Sequence, residues 1–247
     1  MKTYGLIGYP LTHSFSKKYF TEKFENERIV DCKYELFSIE QAQDLLQILE
    51  NDSSICGINV TIPHKVNVLS MLNEVDPVAA EIGAVNTINI KKVNGKNYLK
   101  GYNTDAHGFE ESLKPLLKAN HKKALIFGDG GAAKAVKYVL NKLGIAYQSV
   151  VRSPQAGKIL YSDVTPEILS THTLLINTTP LGTFPNVDAQ PPIDYSILSD
   201  AHLAYDLVYN PLATAFLRKA AQQGATTING LQMLHLQAEK AWFIWNS

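Results

Sequence analysis

Short apolar runs alternate with longer amphipathic stretches along the whole chain, the pattern of an α/β protein. Residues 4–8 read as a first strand ending in glycine. The stretch after it sets Tyr19, Phe20 and Phe24 at helical spacing, with Ser16 as the expected N-cap. Residues 33–39 read as a second strand. Ser38 and Gln41 form a capping-box pattern ahead of a helix carrying Leu45, Leu46 and Leu49. The run 55–58 predicts a third, buried strand. Pro63 cannot continue a central ladder and suits the first turn of a helix. The heptapeptide Asn59-Val60-Thr61-Ile62-Pro63-His64-Lys65 is therefore expected where a strand ends and a helix begins. Asp76-Pro77 starts a short helix to Ile82. Asn94-Gly95 predicts a hairpin turn between strands over 87–93 and 96–101. Residues 101–105 then open another helix, with Thr104 or Asp105 as its cap.

The second half repeats the alternation. A strand over 123–127 runs through Gly128-Asp129-Gly130-Gly131-Ala132-Ala133-Lys134-Ala135 into a helix with Val136, Val139, Leu140 and Leu143 on one side and Gly144 as its stop. Residues 145–151 complete a βαβ unit. A strand over 173–177 leads to the loop Thr178-Thr179-Pro180-Leu181-Gly182, and 185–192 is a proline-rich surface stretch. A strand over 203–208 carries Asp206. Asn210-Pro211 is expected to start a helix with Ala215, Phe216, Leu217 and Ala220, ended by Gly224. A short strand over 226–229 precedes the last helix, which begins near Leu231.

Composition narrows the class. The 247 residues suffice for two modest domains, and 23 basic residues balance 23 acidic ones. No basic surplus argues for nucleic acid, and no basic amphipathic helix argues for a membrane surface. No apolar run approaches membrane-spanning length, and the first residues lack the apolar core of a signal peptide. Cys32 and Cys56 suit core packing in a reducing compartment. These features predict a soluble, cytoplasmic protein, a monomer or homodimer, acting on a small molecule without nucleic-acid or membrane partners.

In open α/β sheets, ligands bind beyond the carboxyl ends of the strands. Asn59 brings an amide to such an end, Thr61 a hydroxyl and Lys65 an ammonium. An amide and a hydroxyl suit a polyhydroxylated ligand, and a lysine there donates a proton or holds a developing oxyanion. Ser14 and Ser16, at a helix start, either form a carboxylate site or simply cap the helix. Asn86 and Asp105 flank the hairpin. Each of these residues has an ordinary place in a cap or turn. Their recurrence at successive strand ends is what points to one site. Met233 and Gln237 share a face of the last helix.

The glycine-rich turn after 123–127 lets the backbone approach a pyrophosphate, and the following helix supplies amides and dipole. Asp129 is unusual in such a loop, and its side chain is expected to face away from the phosphates. Val150-Val151-Arg152-Ser153 ends the next strand without an acid to bind a ribose 2′-hydroxyl. Arg152 pairs with a phosphate and Ser153 adds a hydroxyl, which favours NADP over NAD.

Seven motifs occur in order: GYPLTHSFS at 8–16, NVTIPHK at 59–65, GAVNT at 83–87, GYNTDAHG at 101–108, GDGGAAKA at 128–135, DLVY at 206–209 and GLQMLHLQ at 230–237. Together they resemble the shikimate dehydrogenase family over nearly the full chain. The resemblance implies an N-terminal α/β substrate domain with a mainly parallel sheet, over 1–104 plus 230–247. It implies a Rossmann-type NADP-binding domain over 105–229, with the final helix returning to the first domain. The implied activity is reversible, NADPH-dependent reduction of 3-dehydroshikimate to shikimate in aromatic amino-acid biosynthesis, with no metal. In that site Lys65 and Asp105 form the catalytic pair, and Ser14 and Ser16 hold the substrate carboxylate. Asn59, Thr61, Asn86, Asp105 and Gln237 bind its hydroxyls, with Tyr209 nearby. Gly128, Gly130, Gly131 and Ala132 take the cofactor phosphates, and Arg152 and Ser153 the 2′-phosphate. Thr178, Leu207 and Gly230 complete the cofactor contacts, with Met233 at the nicotinamide.

The chain departs from the family pattern in places. Lys17 stands where the family usually has proline. Val151 and Ser153 replace the outer residues of an Asn-Arg-Thr phosphate clamp, and Thr178 and Thr183 replace an alanine and a methionine. Three rival readings were weighed on the same residues. A quinate/shikimate dehydrogenase of broader cofactor use fits less well, because Arg152 has no acid beside it. A non-catalytic metabolite sensor would be expected to lose the Lys65–Asp105 pair or the glycine loop. A folate dehydrogenase of similar layout does not call for Ser14, Ser16, Asn86 and Asp105.

Overall fold

The computed structural model describes residues 1–11 and 14–247. Thr12 and His13 of the GYPLTHSFS motif lie outside the described residues. The chain forms two compact units, Met1–Thr104 with Gln237–Ser247, and Asp105–Leu236. Among the described residues, no helix is long and apolar enough to cross a membrane.

The first unit contains β1 (Lys2–Gly8), α1 (Phe15–Asn26), β2 (Cys32–Ser38), α2 (Asp44–Asn51), β3 (Ile55–Val60), β4 (Glu74–Val75), α3 (Pro77–Ile82), β5 (Thr87–Val93) and β6 (Lys96–Tyr102). Its sheet has the order β2-β1-β3-β5-β6-β4. β1 runs parallel to β2 and β3, and β5 runs antiparallel to β3 and β6. Side chains alternate along β1. Ile7 joins Leu45, Leu49, Ile58 and Ile88 on one face. Tyr4 and Leu6 join Phe20, Phe24, Ala241 and Trp245 on the other. Burying each such side chain contributes about 1.5–3 kcal/mol, which fixes the register of the strand. Gly57 is needed for this packing. A Cβ there would lie 2.6 Å from Trp245 Cε2. Its absence lets the indole reach the sheet and donate Nε1–H to Ile88 O at 3.0 Å.

Some local signals act as read. Asn94 (φ 51°) and Gly95 (φ 77°) make the left-handed two-residue turn of the β5–β6 hairpin. Asp76 caps α3 by accepting from Val78 N, and Gly83 ends it at φ 68°. Others are overridden. Ser14, not Ser16, caps α1 by accepting from Lys17 N at 3.2 Å. Ser38 caps nothing: Ile39 N donates to Gly8 O and prolongs the pairing of β2 with β1, so α2 begins only at Asp44. Pro63 starts no α-helix. The Lys65 carbonyl accepts from Val85 N at 2.8 Å, so this segment is a turn tied to its neighbours. It leads to a short 3-10 helix, Asn67–Met71. Thr104 and Asp105 stand in the first turn of the helix they were expected to cap.

The second unit contains most of α4 (Thr104–Leu113), then β7 (Lys123–Phe127), α5 (Gly131–Lys142), β8 (Ala146–Val151), β9 (Ile159–Leu160), α6 (Pro166–Thr171), β10 (Leu174–Asn177), β11 (Leu203–Asp206), α7 (Ala215–Gln222), β12 (Thr226–Ile228) and the start of α8 (Leu231–Trp245). All six strands run parallel in the order β12-β11-β10-β7-β8-β9. This is the doubly wound dinucleotide-binding order, and its strand order reverses between β7 and β10. Leu125, Phe127, Leu175, Ala204 and Phe216 form the core on one face. Helix α7 begins four residues after Pro211, because the buried Thr214 takes the cap and accepts from Leu217 N. Helix α8 groups with the second unit through Leu236 and with the first from Gln237.

Candidate active site

In the first unit, β3 pairs with β5 so that Asn59 stands opposite Thr87. Asn86 precedes Thr87, and the hairpin returns the chain to Thr104. A buried polar cluster results. Asn86 Oδ1 accepts from Thr104 N at 2.7 Å, and its Nδ2 donates to Thr104 Oγ1 at 2.9 Å. Gln237 Oε1 accepts from Asn86 Nδ2 at 3.4 Å and from Thr104 Oγ1 at 3.3 Å. Asn59 Nδ2 donates to Thr87 Oγ1 at 3.2 Å. Asn59, Asn86 and Gln237 are all less than a tenth exposed. Buried amides are costly unless paired, so this cluster holds one arrangement. The structure thus joins three sequence-predicted residues and adds Thr87 and Thr104, which the sequence reading passed over. The period-two pairing of the hairpin with β3 is the signal that would have found Thr87.

The other candidates of this unit surround that cluster in sequence. Ser14 caps α1, and Ser16 lies in its first turn. Thr61 follows the end of β3 and donates its N–H to Ile7 O at 2.9 Å. His64 is fully buried, its Nε2 2.7 Å from Ile39 O. That buried ring and the Val85 bond to the next carbonyl fix the backbone from which the half-buried Lys65 projects.

In the second unit, Gly128 N donates to Val150 O at 2.9 Å, and the residue takes φ 99°. A Cβ there would stand 2.8 Å from Thr178 Oγ1, so glycine is required. Around Gly130 and Gly131 a Cβ would meet nothing within 4 Å. Gly130 is the N-cap of α5 and offers no side-chain cap, which leaves this helix start, with Ala132 in its first turn, suited to an anion. Arg152 and Ser153 are exposed just beyond β8. Asp129 is paired with Lys137 and Lys158. Burial pushes its carboxyl up, but the two ammoniums outweigh this and hold it below the usual carboxylate range. Thr178 Oγ1 donates to Phe127 O at 2.8 Å, and Leu207 N donates to Asn177 O at 2.9 Å. Gly230 packs on the Leu207 carbonyl, where a side chain would not fit. Met233 is buried, Asp105 is half-buried, and Tyr209 is 37% exposed with its phenol pushed up by burial. Asp206, which the sequence reading left without a role, is fully buried. It accepts from Asn177 Nδ2 at 2.9 Å, Val208 N at 3.0 Å and Thr214 Oγ1.

Residues 6–88 match the model of the shikimate dehydrogenase substrate binding domain. Beyond that segment, the chain is 37% identical over 262 residues to shikimate dehydrogenase (NADP(+)) of Carboxydothermus hydrogenoformans, covering 99% of this chain and 91% of that one. The chain belongs to the shikimate dehydrogenase family. Its fold agrees: a crystal structure of shikimate 5-dehydrogenase from Thermus thermophilus, in complex with NADP(H) and shikimate, superposes with a TM-score of 0.84 at 32% identity, covering 99% of this chain and 93% of that chain. Quinate dehydrogenase from Corynebacterium glutamicum, in complex with NAD, gives a TM-score of 0.86 at 25% identity, covering 99% of this chain and 93% of the other. The family's two-domain architecture therefore extends over the whole chain, and backbone similarity alone does not separate a shikimate from a quinate enzyme.

Proposed function

We propose that the chain is a cytoplasmic, NADP-dependent shikimate dehydrogenase that interconverts 3-dehydroshikimate and shikimate. The observation that carries the reading is the buried Asn59–Thr87–Asn86–Thr104–Gln237 cluster, in a chain of this family. Amides and hydroxyls fixed by one another recognise a ligand's hydroxyl groups with little reorganisation. Ser14 and Ser16 would hold the substrate carboxylate, and Thr61 and Tyr209 would complete the substrate site.

The residues present fit the cofactor. The open backbone at Gly130 and Gly131 and the uncapped start of α5 with Ala132 would take its phosphates. Gly128, Thr178, Leu207, Gly230 and Met233 would surround the remainder. Arg152 and Ser153, with no acid beside them, would favour a 2′-phosphate. When bound, the reduced nicotinamide supplies hydride to the C3 carbonyl carbon. As the C–O π bond opens, Lys65 stabilises the growing negative charge and gives its proton to the oxygen, completing the alcohol. Asp105 orients the ammonium. In the reverse direction Lys65 receives the hydroxyl proton.

The test is Lys65→Ala. General-acid loss lowers turnover by about 10²–10⁴. Shikimate should still raise the melting temperature of that variant. Near-normal turnover would remove Lys65 from the mechanism, and loss of both turnover and shikimate binding would make it a binding residue only.

A further inference from the structure

Tyr34 on β2 is 4% exposed. Its ring stacks on Phe20 with centroids 4.7 Å apart and planes 11° apart. It belongs to the aromatic core that contains Trp245. Phenylalanine would fill that space as well, and a buried hydroxyl is costly unless it is paired. The Tyr34 hydroxyl is paired: it donates to Asn59 Oδ1 at 2.7 Å. The Ser16 side chain meets the same hydroxyl from α1. On the far side of the amide, Asn59 Nδ2 faces Asn86 O at 3.4 Å and Thr87 Oγ1 at 3.2 Å. A backbone carbonyl only accepts, so Nδ2 must point towards it and Oδ1 towards the phenol. Both Nδ2 bonds are longer than the usual value of about 2.9–3.0 Å. The amide therefore presents N–H groups that are aimed but loosely held.

We propose that Tyr34 is a positioning residue for the substrate: through its hydroxyl it fixes the Asn59 amide with Nδ2 turned to a ligand hydroxyl. It also joins that amide to Ser16 across one buried phenol. The inference rests on the reading of Asn59 and Ser16 as substrate contacts.

Tyr34→Phe keeps the ring and removes only the hydroxyl. Shikimate oxidation with NADP is measured for the wild type, Tyr34→Phe, Asn59→Ala and the double variant, with NADPH binding followed by fluorescence. The expected result is a rise in the shikimate KM of about tenfold in Tyr34→Phe, the scale of one lost hydrogen bond, with kcat changed less than about threefold. NADPH affinity should be unchanged. The double variant should be no worse than Asn59→Ala, because the phenol acts through the amide. The melting-temperature rise given by shikimate should fall in the same order without turnover. An unchanged KM in Tyr34→Phe overturns the proposal, whether or not the variant melts lower. Effects that multiply in the double variant also overturn it. If the wild type neither binds nor oxidises shikimate, the reading of the site has failed; if it does both and Tyr34→Phe matches it, only the positioning role has failed.

Discussion

Replacing Asp206 with asparagine should change how stability depends on pH. The carboxyl is fully buried at the end of β11, and burial pushes its pKa up to about 6, against an ordinary value of 3.8; its donors Thr214, Val208 and Asn177 pull the other way. The folded protein therefore keeps this proton at pH values where the unfolded chain has released it. Stability from this group is present below about pH 4 and is lost as pH rises through about 6. At about 1.4 kcal/mol per unit, the whole loss is on the order of 3 kcal/mol, and about half of it falls between pH 5 and 7.5. Asp206→Asn keeps the size and an acceptor but cannot ionise. Its bond to Thr214 changes direction, which adds an offset of about 1 kcal/mol that does not vary with pH. Urea unfolding of both proteins at several pH values isolates the group, because Asp129 and Glu110, whose pKa values are lowered, act identically in both. The variant should gain about 1.5 kcal/mol on the wild type between pH 5 and 7.5. A difference that stays constant with pH would mean that the three donors compensate for burial, and would refute the reasoning.

Arg152→Ala should raise the KM for NADP by about tenfold or more and leave that for NAD nearly unchanged, since one charge-assisted phosphate contact is lost. Equal effects on both cofactors would remove Arg152 from the 2′-phosphate site. Gly57→Ala should destabilise the protein by about 1–3 kcal/mol, because Trp245 is held by Ile88 and cannot yield freely. The melting temperature reads this, and an unchanged value would mean that α8 shifts without cost.

Much of the fold was legible where one local choice had no competitor. Asn94-Gly95 and Asp76-Pro77 each lead to a single local structure, and the β7 strand, its glycine turn and α5 agree at every level. Sequence misled where two partners competed for one group. Ser14 and Ser16 both suit a cap, and the choice depends on where Phe20 and Phe24 are buried. Ser38 was claimed by the sheet, and Pro211 lost the helix start to Thr214, whose hydroxyl bonds Asp206. Helix α6 was missed although Thr165-Pro166 carries an N-cap and first-turn pair. β9 is two residues long and has no periodicity to read. At the site, candidate residues were recognisable as polar groups at strand ends. Tyr34 was not, because its hydroxyl matters only once β2, β1 and β3 are side by side.

The most direct measurement is absorbance at the reduced-nicotinamide band, with purified protein and shikimate, comparing NADP with NAD and running quinate in parallel. The account predicts fast reduction with shikimate and NADP, and slow or no reduction with NAD or quinate. Comparable rates with quinate and NAD would contradict the assigned specificity. No turnover with any pair, in a folded protein that still binds shikimate, would contradict catalysis itself.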